Sequence, residues 1–219
     1  MLYTVFSLPR AGSHFLQGGL LTHPQVKDED EAFAGSGEEL QDRKTNLEAK
    51  QSSDAWHGLL VKPHHMQRAS TRAWLSAHSA KTVLLERGNK LKQAVSLKKA
   101  RQTGVWRVGY HSVDGNEQKT TVRVTKADIA DLDRQTRALR RIVLTEMPDP
   151  LLVRYEDLCS NYHENVQSVL NHLQLNSEGV DVQTKTEKQQ TRSPRQNISN
   201  YNELKTECRG TKFERWFEQ

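Results

Sequence analysis

Three short stretches of this 219-residue chain gather cations, hydroxyls and imidazoles where the backbone must turn. Pro9-Arg10-Ala11-Gly12-Ser13-His14 follows a short apolar run and precedes a second one. A strand, a tight glycine turn and a helix start aim backbone N–H groups and the positive end of a helix dipole at one spot, which suits an anion. Arg10 adds a planar fork matched to phosphate or sulfate oxygens, and Ser13 a hydroxyl donor. Lys62-Pro63-His64-His65 ends a second apolar run. In the third stretch Arg87 closes the run Lys81 to Glu86, and Ser96 lies nine residues further on. If a helix begins at Lys90, Arg87 and Ser96 can reach one phosphate, with Lys90 or Lys92 nearby.

The elements that must position these groups are read from apolar periodicity. Leu2–Ser7, Leu59–Lys62, Lys81–Glu86 and Pro150–Val153 read as strands, and Ser13–Leu21, Ala69–Ala77, Lys90–Thr103, Asp128–Thr145 and Asn161–Leu173 as helices. Ser13 is the expected cap of the first helix. Short apolar strands alternating with helices predict an α/β fold: a parallel sheet flanked by helices on both faces, in one domain over residues 1–219. Residues 27–53 are expected to be a polar loop or lid with one weak helix around Glu38 to Lys50, and 180–200 a mobile segment. In such sheets ligands bind at the carboxyl ends of strands, where the three turns fall.

Composition narrows the function. The chain is 35% hydrophobic and 27% charged, with formal net charge +5, which favours anionic ligands. Cys159 and Cys208 are too few for a disulfide framework and are expected to be reduced. The amino-terminal run lacks the features of a signal peptide, and no apolar run is long enough to span a membrane, so a cytoplasmic location is expected. The Gly-x-x-x-x-Gly-Lys-Ser/Thr pattern of nucleotide triphosphatases is absent, which weighs against a P-loop kinase and against metal chemistry. The basic segment Lys90 to Arg107 keeps a non-enzymatic nucleic-acid binder open, but its cations are not interleaved with exposed aromatics and no helix-turn-helix or zinc spacing occurs.

Together the stretches resemble the sulfotransferases that use 3′-phosphoadenosine 5′-phosphosulfate. SLPRAGSHFL is similar to their 5′-phosphosulfate loop in the Pro-Arg form of bacterial carbohydrate enzymes, with Ala11 where the family usually has serine. ERGNKLKQAVSLKKARQTGVW resembles the 3′-phosphate segment of trehalose-type members, and LLVRYEDLCSNYHENVQSVLNHLQL the family's strand–Tyr-Glu-Asp-Leu–helix segment. RQNISNYNEL and GTKFERWF resemble the carboxyl-terminal segment of nodulation-type relatives.

The resemblance implies in-line transfer of a sulfuryl group to a hydroxyl of a carbohydrate, glycolipid or other small acceptor, leaving adenosine 3′,5′-bisphosphate and using no metal. It makes Pro9, Arg10, Ala11, Gly12, Ser13, His14, Arg87 and Ser96 the cofactor-binding residues. Arg10 would stabilise the leaving oxygen, helped by Lys62, whose Lys62-Pro63-His64 resembles the Lys-x-His of cytosolic members. Glu31, in a Glu-x-Phe like that of the bacterial enzymes, leads as general base, with His64 the alternative. Phe15 and Trp106 are candidates to pack near the adenine. Lys188, Arg192 and Arg195 are candidates to close over the cofactor. The partner expected is a small-molecule or saccharide acceptor and not nucleic acid; a homodimer is open.

Overall fold

A computed structural model describes residues 1–29, 31, 33, 38–106, 120–183 and 193–218. The chain forms two compact units, Met1–Glu86 with Arg137–Thr184 and Arg87–Thr136 with Lys185–Gln219.

The first unit carries β1 (Leu2–Ser7), α1 (Ser13–Leu20), β2 (Val26–Asp28), α2 (Glu38–Lys50), β3 (Trp56–Val61), α3 (Ala69–His78) and β4 (Lys81–Glu86). After the second unit's α4 (Lys90–Thr103), α5 (Lys126–Glu146) leads back into it, and β5 (Pro150–Arg154), α6 (Tyr155–Ser160) and α7 (Tyr162–His172) complete it. The sheet has five parallel strands in the order β2-β3-β1-β4-β5. Every residue of β1 and β3 is buried, because helices cover both faces, as expected for a parallel sheet.

Side chains alternate along a strand, so β1 feeds two cores. Tyr3 and Val5 join Leu16 and Leu20 of α1 and Val166, Val169 and Leu170 of α7. Leu2 and Phe6 join Leu40 and Leu47 of α2, Leu75 of α3 and Leu139 and Val143 of α5. Burying each such side chain is worth about 1.5–3 kcal/mol, and this places β1 at the rigid centre of the sheet. The turns after β1, β3 and β4 are the three singled out by their chemistry. Glu86 is fixed at the end of β4 by the Arg140 guanidinium, whose Nε donates to Oε1 at 2.9 Å and whose second nitrogen donates to Oε2.

The second unit adds α8 (Pro194–Asn197) and α9 (Tyr201–Cys208). Its irregular segments are stitched by side chains. The Asn200 amide accepts from the Val124 N–H at 3.1 Å and donates to the Val124 carbonyl at 2.9 Å, standing in for a neighbouring strand. Lys99 donates to Asn197 Oδ1 at 2.6 Å, and Lys98 lies 2.9 Å from Asp128. Among the described residues no helix is long and apolar enough to cross a membrane.

Candidate active site

The turn after β1 tightens on two left-handed residues, Arg10 at φ +63° and Gly12 at φ +98°. Gly12, not Ser13, is the helix cap residue, and Ser13 is the first residue of α1. Glycine is required here for two reasons. Its φ disfavours a Cβ, and a Cβ at this position would lie 2.4 Å from Cδ2 of the Tyr155 ring. Tyr155 therefore roofs the turn from the start of α6. The first N–H groups of α1 have no acceptor within the helix, a geometry suited to an anion.

With Gly12 capping the helix, the Ser13 hydroxyl takes a different role. Lys62, buried just beyond β3, donates from Nζ to Ser13 Oγ at 2.9 Å and to Ser7 Oγ at 3.0 Å. A buried ammonium is costly unless several oxygens replace its water. The hydroxyls of Ser7 and Ser13 supply two such oxygens. The Lys62 cation thus lies directly beside the turn that holds Arg10 and Gly12.

The turn after Lys62 separates its two histidines. Pro63 holds Lys62 in an extended conformation, continuing the strand direction. A 3-10 turn then follows over His65–Gln67. His64 is exposed and His65 buried, with ring centroids 4.0 Å apart. The Lys62 N–H donates to His65 Nδ1 at 3.2 Å, and the His65 N–H donates to the Lys62 carbonyl at 3.0 Å. Burial, reinforced by the His64 and Lys62 charges, lowers the His65 pKa to about 4.

Glu31 is half-buried and lies between two anchored neighbours. On one side, the Glu29 carboxylate accepts from Lys50 Nζ at 2.6 Å and contacts His57 Nδ1 at 2.8 Å, while Ser53 Oγ contacts His57 Nε2 at 2.9 Å. Burial alone would raise the Glu29 pKa, but the Lys50 and His57 hydrogen bonds outweigh it and hold the carboxyl below its ordinary value. On the other side, Phe33 is buried against Trp74 and sits 6.4 Å, centroid to centroid, from the His65 ring. The Glu-x-Phe segment and the Lys62–His65 turn therefore meet through Phe33 and His65.

The remaining candidates lie in the second unit. Arg87 and Ser96 are both buried. Between them Asn89 caps α4, its side chain accepting the Lys92 N–H at 2.9 Å and donating to the Trp216 carbonyl at 3.2 Å. Lys90 is buried, its ammonium donating to the Arg87 carbonyl and to Gln93 Oε1, the latter at 3.3 Å. The segment from Arg87 to Ser96 is thus ordered by its own side chains.

Phe15 is occupied in packing, 4.4 Å from the Tyr162 ring and 6.4 Å from that of Tyr155. Trp106 is 47% exposed. Arg195 sits on α8 and lines a cleft of about 350 Å³ with Asn200 and Tyr201. Lys188 and Arg192 lie outside the described residues, as do residues 184–192 of the stretch expected to be mobile. Sequence reasoning missed the two hydroxyl partners of Lys62 and the burial of His65. A serine closing an otherwise apolar strand, Ser7, was the available signal for the first.

The five-stranded parallel sheet flanked by helices, with a glycine turn after its central strand, is the sulfotransferase fold. A sulfotransferase from Alicyclobacillus acidocaldarius superposes with a TM-score of 0.51 at 14% identity, over 81% of this chain and 82% of that one. The sulfotransferase domain from the curacin biosynthetic pathway does so with 0.55 at 13% identity, over 99% and 88%. The mouse sulfotransferase SULT7A1, solved in complex with PAP, does so with 0.54 at 14% identity, over 99% and 88%. Residues 78–203 match the model of the Stf0 sulphotransferase family, and the chain belongs to that family. No curated protein matches the sequence.

Proposed function

We propose that the protein transfers a sulfuryl group from 3′-phosphoadenosine 5′-phosphosulfate to a hydroxyl of a carbohydrate or glycolipid in the cytoplasm. The observation that carries this reading is the buried Lys62 ammonium, 2.9 Å from Ser13 at the mouth of the glycine turn. The donor set fits the 5′ end of that nucleotide: a lysine, a guanidinium, two hydroxyls and a helix amino terminus. The solution of the mouse neighbour with PAP also supports it. When bound, the nucleotide supplies a sulfuryl group activated by a phosphate leaving group.

In this reading Pro9 to His14 hold the 5′ end, and Arg87 and Ser96 bind the 3′-phosphate. Lys62 and Arg10 stabilise negative charge developing on the leaving oxygen; loss of one such fixed donor costs about 10²–10³ in rate. Glu31 takes the proton of the acceptor hydroxyl, with His64 as the alternative base. The fixed Glu29 and Phe33 on either side of Glu31 favour it over His64, which stands exposed.

The test is ligand-dependent thermal stabilisation. Adenosine 3′,5′-bisphosphate at micromolar concentration is expected to raise the melting temperature well above the shift produced by ATP. Equal stabilisation by the two nucleotides would overturn the reading. Glu31→Gln and His64→Ala, assayed with labelled donor against a panel of saccharides, then identify the base.

A further inference from the structure

Lys62 stands one residue past the end of β3, so its N–H lies beyond the last sheet pairing described for that strand, Phe6 with Val61. Pro63 cannot help close the turn with a backbone donor. A buried N–H without an acceptor costs about 1–3 kcal/mol. The acceptor is the side chain of His65, whose Nδ1 is 3.2 Å from the Lys62 nitrogen, while the His65 N–H returns to the Lys62 carbonyl at 3.0 Å. Both backbone polar groups of Lys62 are therefore engaged by one residue. The ammonium at the other end of the same side chain is aimed at Ser7 and Ser13.

We infer that His65 is a positioning residue: its imidazole clamps the Lys62 backbone and so fixes the Lys62 ammonium at the glycine turn. This rests on the sulfotransferase reading for the ligand that Lys62 meets. Because Nδ1 accepts from the Lys62 N–H, the ring proton sits on Nε2, which is buried with no hydrogen-bond partner among the described residues, so neither nitrogen offers a free lone pair and His65 does not serve as a base. The ring is buried, with the His64 ring at 4.0 Å and the Phe33 ring at 6.4 Å, centroid to centroid. The charged or titratable groups facing it are Lys62 and His64.

The test is a pair of near-isosteric variants with a double-mutant cycle, read by calorimetric binding of adenosine 3′,5′-bisphosphate to the full chain. Asn places an acceptor where Nδ1 stands, whereas Gln places one further out. His65→Asn is expected to bind within about 3-fold of the wild type, and His65→Gln about 10-fold more weakly, the size of one misplaced charged hydrogen bond. On a Lys62→Met background the two variants should bind alike, because the clamp then has no ammonium to place. Equal binding by His65→Asn and His65→Gln in the wild-type background overturns the inference, as does a Gln penalty that persists without Lys62. Absence of bisphosphate binding by the wild type would overturn the sulfotransferase reading instead, and the inference with it.

Discussion

The ammonium of Lys62 and the hydroxyl of Ser13 meet at 2.9 Å, joining the end of β3 to the first residue of α1 across 49 positions of sequence. The hydroxyls of Ser13 and Ser7 solvate the cation and bring no negative charge of their own to it. Two effects of opposite sign follow for Lys62→Met. The free protein should melt at the same temperature or slightly higher, because a desolvated charge is replaced by an apolar chain of similar length. Bisphosphate affinity should fall about 10- to 100-fold, the value of one hydrogen bond to a charged group. A melting scan with and without nucleotide measures both, and a parallel loss of stability and affinity would contradict the assignment.

Gly12→Ala should destabilise the protein strongly. The left-handed φ of +98° costs a Cβ about 1–2 kcal/mol, and the Tyr155 ring must shift to admit it, for about 1–3 kcal/mol more. The expected fall in melting temperature is about 4–20 °C. On a Tyr155→Ala background the ring component disappears, so the added cost of Gly12→Ala should shrink to the backbone component. Scanning calorimetry of the four proteins checks this; additive losses would mean that Tyr155 does not roof the turn.

Arg87→Ala should remove most of the preference for adenosine 3′,5′-bisphosphate over ATP. Arg87 is buried before α4, and its fork is the group in that turn suited to a phosphate. The expected loss is about 10- to 100-fold for the bisphosphate, with ATP binding little changed. Titration of both nucleotides against wild type and variant decides it; an equal loss for both would assign Arg87 to a feature the two share.

Acid stability should depend on His65. Its folded pKa of about 4 lies below the ordinary 6.5. Between those values the unfolded chain binds a proton that the folded protein excludes, so stability falls as pH drops from about 6.5 to about 4. Below about 4 both states are protonated and this group contributes no further change. Carboxylates held low by partners, such as Glu29, begin to add their own loss only near and below pH 4.5. Chemical denaturation of wild type and His65→Asn between pH 5 and pH 6.5 compares the two, and His65→Asn should flatten the wild-type slope in that window.

Much of the scaffold was legible because its strands are buried on both faces. Leu2–Ser7 and Lys81–Glu86 are short, mostly apolar, β-branched-rich runs bounded by turn residues, and both were read to the residue, as was α4. The start of β3 was read three residues late, because Trp56-His57-Gly58 carries a polar residue and a glycine against whose position the Tyr3 ring packs. The three-residue edge strand β2 and the short α6 escaped because neither is long enough to show a period.

The candidate site was legible in its residue types and hidden in its pairings. Lys62 stood out at a strand end, but Ser7 and Ser13 reach it from 55 and 49 residues away. Likewise two adjacent histidines are equivalent in sequence, and only the turn after Pro63 decides that His64 faces solvent and His65 the protein. Ser13 was expected to cap α1 because serine is a favoured cap, yet the tight turn needs a left-handed residue at that position and Gly12 supplies it.

The sheet is assembled from two separated pieces of chain, since β5 follows residues 87–136 of the other unit and pairs with β4 along Thr82 to Glu86. During synthesis the free side of β4 must wait for the ribosome to deliver residues 150–154, several seconds at about 5–20 residues per second. For that interval the nascent protein presents an unpaired, apolar strand edge, which makes chaperone capture during translation, and not refolding of the finished chain, the step on which its yield in a cell should turn.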